Sequence, residues 1–348
     1  MNSGTHTPFV YLGISKTSDP TGAWDLYWFQ GCGNYTNNTA YVGDQPKLGI
    51  SDKWIVVQDG ACGPGPLYNM SVFDKANLYA GPGSLSRGVN WFALLNPYDE
   101  SIPACTVATP SPSGYEYVIA SDISDASSPA LIYSYVFGGV DQPSLYVGQI
   151  YVVDSYINNA SEQLPELETP RCTNCNNSCR CIGADADSRL QSATVQFLKS
   201  GDYAALASWE FGLTSSGGLG TGVTYVALDL NQQAILSSDF GRSSGGSTLY
   251  NSLSMTNSTS SGDAGVWQLD GSDQYTYPYS SFFIVDIDSG ASLQEVAHYG
   301  AAATPLSSRW GDYTTVTPDP ANASQVWSLG SFLNGSGVQD QWWTPTVP

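Results

Sequence analysis

ADADSRLQSATVQFLKSGDYAALASWEF, residues 184–211, carries two apolar runs, ATVQFL and YAALASWEF, on either side of a polar Lys-Ser-Gly-Asp turn. Both runs are short, hold β-branched and aromatic residues, and are bounded by turn formers, so the stretch reads as a β-hairpin preceded by an aspartate. The same scheme of aspartate, apolar strand, polar turn and second apolar strand recurs in GDQPKLGISDKWIVV from Gly43 and in SRWGDYTTVTPDPANASQVWSL from Ser308. LYNSLSMTNSTSSGDAGVWQL from Leu249 follows it more loosely.

Strand signals fill most of the remaining chain: FVYLGIS (Phe9 to Ser15), WIVVQ (Trp54 to Gln58), YEYVIAS (Tyr115 to Ser121), LIYSYVF (Leu131 to Phe137) and SLYVGQIYVV (Ser144 to Val153). VTYVALDL and SFFIVDID continue the series. No window shows an amphipathic helix, and SEQLPELETP (Ser161 to Pro170) is broken by Pro165. The strands cluster about 40 to 60 residues apart, the repeat length of propeller blades. The expected fold is therefore all-β: a single β-propeller over residues 1–348, with about six blades opening near residues 9, 43, 104, 185, 248 and 306, and five or seven as alternatives. A Cys-rich insertion around residues 158–184 falls between blades.

The chain has 348 residues, 41% hydrophobic and 12% aromatic, with 36 Gly and 20 Pro, a composition of many short strands and turns. Its net charge of −20 arises from 31 Asp+Glu against 11 Lys+Arg. So cation-poor a surface repels phosphate backbones and anionic membranes, which argues against nucleic acid as a partner and against membrane insertion. No run approaches membrane-spanning length. MNSGTHTPFVYLG lacks a basic segment followed by an apolar one, so the chain reads as a mature form or a fragment.

Seven cysteines are present: Cys32, Cys62, Cys105, Cys172, Cys175, Cys179 and Cys181. The last four form RCTNCNNSCRC, a spacing unlike the separated pairs of zinc sites and without a nearby histidine, so disulfides are favoured over metal. Glycosylation sequons begin at Asn34, Asn37, Asn69, Asn159, Asn176, Asn257, Asn322 and Asn334. Cysteines and sequons together point to a secreted, extracellular glycoprotein.

ISKTSDPTGAW (Ile14 to Trp24), GDQPKLGISDKWIVV (Gly43 to Val57), FDKANLYAG (Phe73 to Gly81), DADSRLQSATVQF (Asp185 to Phe197) and SRWGDYTTVTPDP (Ser308 to Pro320) resemble segments of secreted, sialidase-superfamily-like β-propeller proteins. The resemblance implies that Asp19, Gly22 and Trp24 form a relative of the sialidase Asp box, a structural hairpin turn with one extra residue between Asp and Gly. The short Arg-Ile-Pro motif that supplies the first arginine of a sialidase triad is absent, which argues against sialidase activity.

Histidine chemistry is nearly excluded, because only His6 and His298 exist and His298, in VAHYGAA, reads as a structural residue. Residues opening inner strands converge near a propeller axis, so Asp44, Asp187 and Asp312 are candidate catalytic carboxylates, with Arg189 and Arg309 placed to grip an anionic sugar. The competing reading makes them cross-links between blades. Aromatics in polar loop contexts, among them Trp24, Tyr35, Tyr275, Tyr277, Tyr279, Trp342 and Trp343, are candidate sugar-stacking residues, and QYTYPYSS (Gln274 to Ser281) stands out. No cofactor is expected, and structural calcium is an open alternative without an EF-hand-type loop to support it. The expected function is a non-catalytic recognition, adhesion or assembly module for a glycan or an extracellular protein surface. The alternative is a carbohydrate-active enzyme, a glycoside hydrolase or polysaccharide lyase working through channel carboxylates.

Overall fold

The computed structural model describes residues 9–30, 44–60, 69–81, 90–93, 99–103, 105–106, 116–122, 130–138, 144–153, 190–198, 201–215, 218–231, 234–241, 246–256, 263–273, 277–287, 292–301, 314–319, 322–336 and 338–346. Apart from one helical turn, every regular element among them is a strand. The chain divides into two compact units, Met1–Ser124 with Tyr133–Gln149, and Asp125–Ile132 with Ile150–Pro348.

In the first unit, β1 (Phe9–Ser15) and β2 (Trp24–Gln30) form a two-stranded antiparallel sheet. β3 (Asp44–Ile50), β4 (Trp54–Gly60), β5 (Asn69–Asp74) and β6 (Asn90–Ala93) follow as an antiparallel meander. β7 (Asp99–Pro103), β8 (Cys105–Thr106), β9 (Glu116–Asp122), β10 (Ala130–Gly138) and β11 (Ser144–Val153) come next. β8 lies parallel to β3, and the other four form a sheet in the order β11-β10-β9-β7. The inner face of the β1–β2 pair packs on the meander: Ile14, Tyr27, Ile55, Val57, Phe73 and Leu78 are buried together, with Val10, Leu12 and Phe29 against them. On the meander's other face, Trp54, Val56, Met70 and Val72 meet Val118 of β9.

The helical turn, α1 (Lys75–Tyr79), is an element that no sequence window suggested. Five residues are too few to display a helical period, and local capping explains it instead: the Asp74 carboxylate accepts from the Asn77 N–H at 3.1 Å. Gly81, with φ of 96°, ends it, and Leu78 is buried.

The second unit stacks antiparallel sheets face to face. β12 (Leu190–Phe197), β13 (Tyr203–Ser215), β14 (Gly218–Asp229) and β15 (Ala234–Gly241) form one meander. β16 (Gly246–Thr256), β17 (Ala264–Asp273), β18 (Tyr279–Asp286) and β19 (Ser292–His298) form the next. β20 (Thr315–Asp319), β21 (Asn322–Leu333) and β22 (Gln339–Thr346) form the last. Leu206, Val223 and Tyr225 pack on Leu253, Trp267 and Val285 between the first two sheets. Val266, Phe282 and Ile284 pack on Val316 and Val326 between the second and third. The β16–β19 sheet is thus covered on both faces, and polar side chains such as Ser254, Gln268, Asp270 and Ser281 are buried along it beside the apolar ones.

Hydroxyl side chains join all three sheets. The Ser252 hydroxyl donates to Ser192 Oγ at 3.3 Å and accepts from the Val316 N–H at 3.0 Å. The expected strand windows overlap observed strands. Two expectations are corrected. Trp342 and Trp343 lie on β22 rather than in a loop, and Tyr279 to Ser281 of the QYTYPYSS run are buried in β18 and closed to any sugar. Strand alternation separates the tryptophans: Trp343 is exposed, while Trp342 stacks on Phe282 and His298.

Candidate functional site

β1 and β2 are apolar on both faces, and only one face is covered. Their register sets Tyr11 opposite Trp28, Gly13 opposite Leu26 and Ser15 opposite Trp24, and directly opposed residues share a face. That face carries Phe9, Tyr11, Trp24, Leu26 and Trp28, which are 47%, 79%, 46%, 75% and 65% exposed. A cluster of large apolar side chains left open to solvent marks a binding surface more often than scattered single ones do. From Trp24 to Trp28 the strand rises about 13 Å, longer than a single sugar ring.

The rings are held in place. Phe9 and Trp28 meet edge to face with centroids 5.2 Å apart. At the other end Trp24 lies over Gly13, where a β-carbon would stand 3.3 Å from Cε3 of the indole. The Trp24 Nε1–H donates to the Pro20 carbonyl at 3.0 Å. One face of that indole therefore rests against the strand while the ring stays 46% exposed.

The turn between the strands is a network of short-range bonds. Asp19 Oδ1 accepts from the Thr21 N–H at 2.9 Å and from the Thr21 hydroxyl at 2.7 Å, and both bonds hold the Asp19 carboxyl below its ordinary range. Lys16 N–H donates to the Ala23 carbonyl, and Gly22 N–H to the Asp19 carbonyl, both at 3.0 Å. Lys16 Nζ pairs with Asp25 at 2.8 Å. A hairpin turn thus joins β1 to β2 through Asp19 and Gly22, and Asp19 serves it structurally.

Glu116 and Asp270 are, with Glu210, fully closed to solvent among the described residues. Burial pushes the Glu116 carboxyl well above its ordinary value; the Ser51 hydroxyl and the Lys75 charge counter this, and the Asp52 charge adds to it. Burial also drives Asp270 well above its ordinary value, opposed by Ser280 and by the Ser331 N–H, which donates to both carboxylate oxygens at 3.1 Å. Gln268 Nε2 donates to Ser280 Oγ at 2.6 Å beside it. Neither carboxyl opens to a substrate, so both belong to the core.

Of the residues singled out in the sequence, Asp44 is the first residue of β3, and Tyr277 is half-buried two positions before β18. Asp187, Arg189, Tyr275, Arg309 and Asp312 lie outside the described residues, as do Cys32, Cys62, Cys172, Cys175, Cys179 and Cys181. Cys105 lies on β8. Among the sequons, Asn34, Asn37, Asn159, Asn176 and Asn257 lie outside the described residues, Asn69 opens β5, Asn322 is exposed at the start of β21, and Asn334 is half-buried after it. His298 has the structural setting expected of it, against Phe332 at 4.3 Å and Trp342 at 5.3 Å between ring centroids. Among the described residues no group of three or more His, Cys, Asp or Glu side chains could hold a metal ion, and no helix is long and apolar enough to cross a membrane. Trp24 was legible as a sugar-stacking candidate, but Tyr11 and Trp28 were not, because FVYLGIS and WDLYWFQ carry apolar residues on both faces and hide which face is open.

No family model matches the chain, and no curated protein matches it in sequence. Similar solved structures include an α-L-arabinofuranosidase from Fusarium graminearum in complex with an iminosugar inhibitor, at 10% identity and a TM-score of 0.41 over 99% of this chain and 95% of that one. An endo-arabinase from Bacteroides thetaiotaomicron is similar at 9% identity and a TM-score of 0.39 over 88% and 95%. A Trypanosoma rangeli sialidase is similar at 6% identity and a TM-score of 0.29 over 87% and 54%.

Proposed function

We propose that this chain is an extracellular recognition module that binds glycans on the outer face of the β1–β2 hairpin. One observation carries the reading: Phe9, Tyr11, Trp24 and Trp28 stand exposed and ordered on one sheet face, while the opposite face of the same strands anchors them to a buried core. Aromatic rings offer a flat apolar surface to the C–H face of a sugar, and fixing them beforehand lowers the entropy lost on binding.

In the same reading the strand groups are blades of one β-propeller, the Cys172 to Cys181 segment is disulfide-bonded, and the sequons carry glycans in a secretory host. The exposed Asn322, whose Oδ1 accepts from the Ser324 N–H of its own sequon at 3.2 Å, is the sequon best presented for modification among the described residues. A glycan array probed with the purified protein and with a Tyr11→Ala/Trp28→Ala double variant tests the function. Binding is expected for the parent and lost in the variant, with melting temperature unchanged; no binding by the parent, or equal binding by both, overturns the reading.

A further inference from the structure

The platform carries no charge of either sign. Its residues along β1 and β2 are Phe9, Tyr11, Gly13, Trp24, Leu26 and Trp28, closed at the turn by Ser15. The charged pair that flanks the turn, Lys16 and Asp25, is neutralised within itself: Asp25 lies opposite Ile14, whose side chain faces the core, and its carboxylate holds Lys16 Nζ at 2.8 Å. Asp19 adds a negative charge at the turn beside the Trp24 end, exposed and kept ionised by its two bonds from Thr21. The whole chain adds to this field with 31 acidic against 11 basic residues.

Acidic sugars are bound through cations, because a carboxylate or sulfate leaving water needs a guanidinium or ammonium to replace its hydration. The described hairpin holds one ammonium, Lys16, and it is already paired with Asp25 at 2.8 Å. The hairpin offers ring faces, and at the Trp24 end the indole N–H is already committed to Pro20, so stacking rather than directional hydrogen bonding from that ring governs recognition at that end. Resting on the reading of this face as glycan-binding, we infer that its ligands are uncharged oligosaccharides, taken by stacking with tolerance for hydroxyl pattern, and that sialylated, uronic and sulfated glycans are excluded by charge. Electrostatic complementarity acts on partner choice, and like-charge approach suppresses wrong partners.

The test is an array of neutral and acidic glycans, followed by titration with lactose-terminated and sialyllactose-terminated probes at low and high sodium chloride. Hits confined to neutral glycans, affinity insensitive to salt, and binding at least about ten-fold weaker to sialyllactose than to lactose are expected at low salt. Acidic glycans bound as well as or better than neutral ones, with affinity falling as salt rises, overturns the inference while the glycan-binding reading stands. Absence of every hit, or hits that survive the Tyr11→Ala/Trp28→Ala substitutions, overturns the reading of the site itself.

Discussion

Asp270 shows how one carboxyl joins two sheets at the cost of its charge. It sits on β17 with no exposure, and its oxygens accept the Ser331 N–H from β21. Burial raises its folded-state pKa above the unfolded value, so its contribution is fully present below the ordinary carboxylate range and is lost as pH rises through the raised value. Asp270→Asn, which mimics the neutral acid, should therefore lose ground to the parent at acidic pH and recover it as pH rises. Thermal melts of the pair across pH would show this, and a difference that does not change with pH would count against it. Gly330 faces the same cluster: a β-carbon there would fall 1.7 Å from Ser280 Oγ, 2.5 Å from Gln268 Nε2 and 2.6 Å from Asp270 Oδ1. Gly330→Ala must displace three buried polar side chains, and a loss of about 1 to 3 kcal/mol in urea unfolding is expected. A neutral substitution would mean that the seam is looser than these distances.

Neighbouring residues of the β1–β2 hairpin lead opposite lives, because alternation sends one side chain to the core and the next to solvent. Tyr27 is 3% exposed and donates its hydroxyl to the Leu78 carbonyl, so Tyr27→Ala should cost about 3 to 5 kcal/mol. Tyr11, 79% exposed, should cost no more than about 0.5 kcal/mol when changed to alanine. Chemical denaturation of both variants separates them, and comparable losses would show that the outer face also packs against something. FVYLGIS and SLYVGQIYVV were legible as strands to the residue, since β-branched and aromatic density identifies a strand whichever face is buried. Which face is buried was not legible where both faces are apolar, and that concealed the platform. Trp342 and Trp343 were misplaced for a related reason: Asp340, Gln341 and Pro345 around them suggest a loop, whereas the pairing of β22 with β21 supplies the strand. The short α1 depends on the Asp74 cap and the burial of Leu78, which no period announces. Asp44, Asp187 and Asp312 were chosen for opening strand patterns, and of these Asp44 does open β3.

For the molecule as a whole, the decisive quantity is a net charge of −20 on 348 residues with a sequence pI near 4.1. Self-repulsion of that size weakens the compact state at neutral pH, and it is screened once the Debye length falls to about 10 Å near 0.1 M salt. Acidification relieves it by a second route, protonating surface carboxylates, and Glu116 and Asp270 act in the same direction because their raised pKa values favour folding at low pH. Asp19 opposes this, since its lowered pKa stabilises the fold above the ordinary carboxylate range and the contribution is lost on acidification. Being exposed at the hairpin turn, it is a small counterweight. At low salt the melting temperature is therefore expected to rise as pH falls from about 7.5 to about 5, and to rise with sodium chloride at the upper pH. The two effects draw on one source, so the salt response should shrink at the lower pH, where fewer surface charges remain to be screened. Scanning calorimetry over the four combinations of pH and salt distinguishes the contributions: a salt response lost on acidification points to the surface field, whereas an acid gain persisting at high salt points to the buried carboxyls. A melting temperature that falls steadily between those pH values would show that carboxylates paired in the folded state outweigh both.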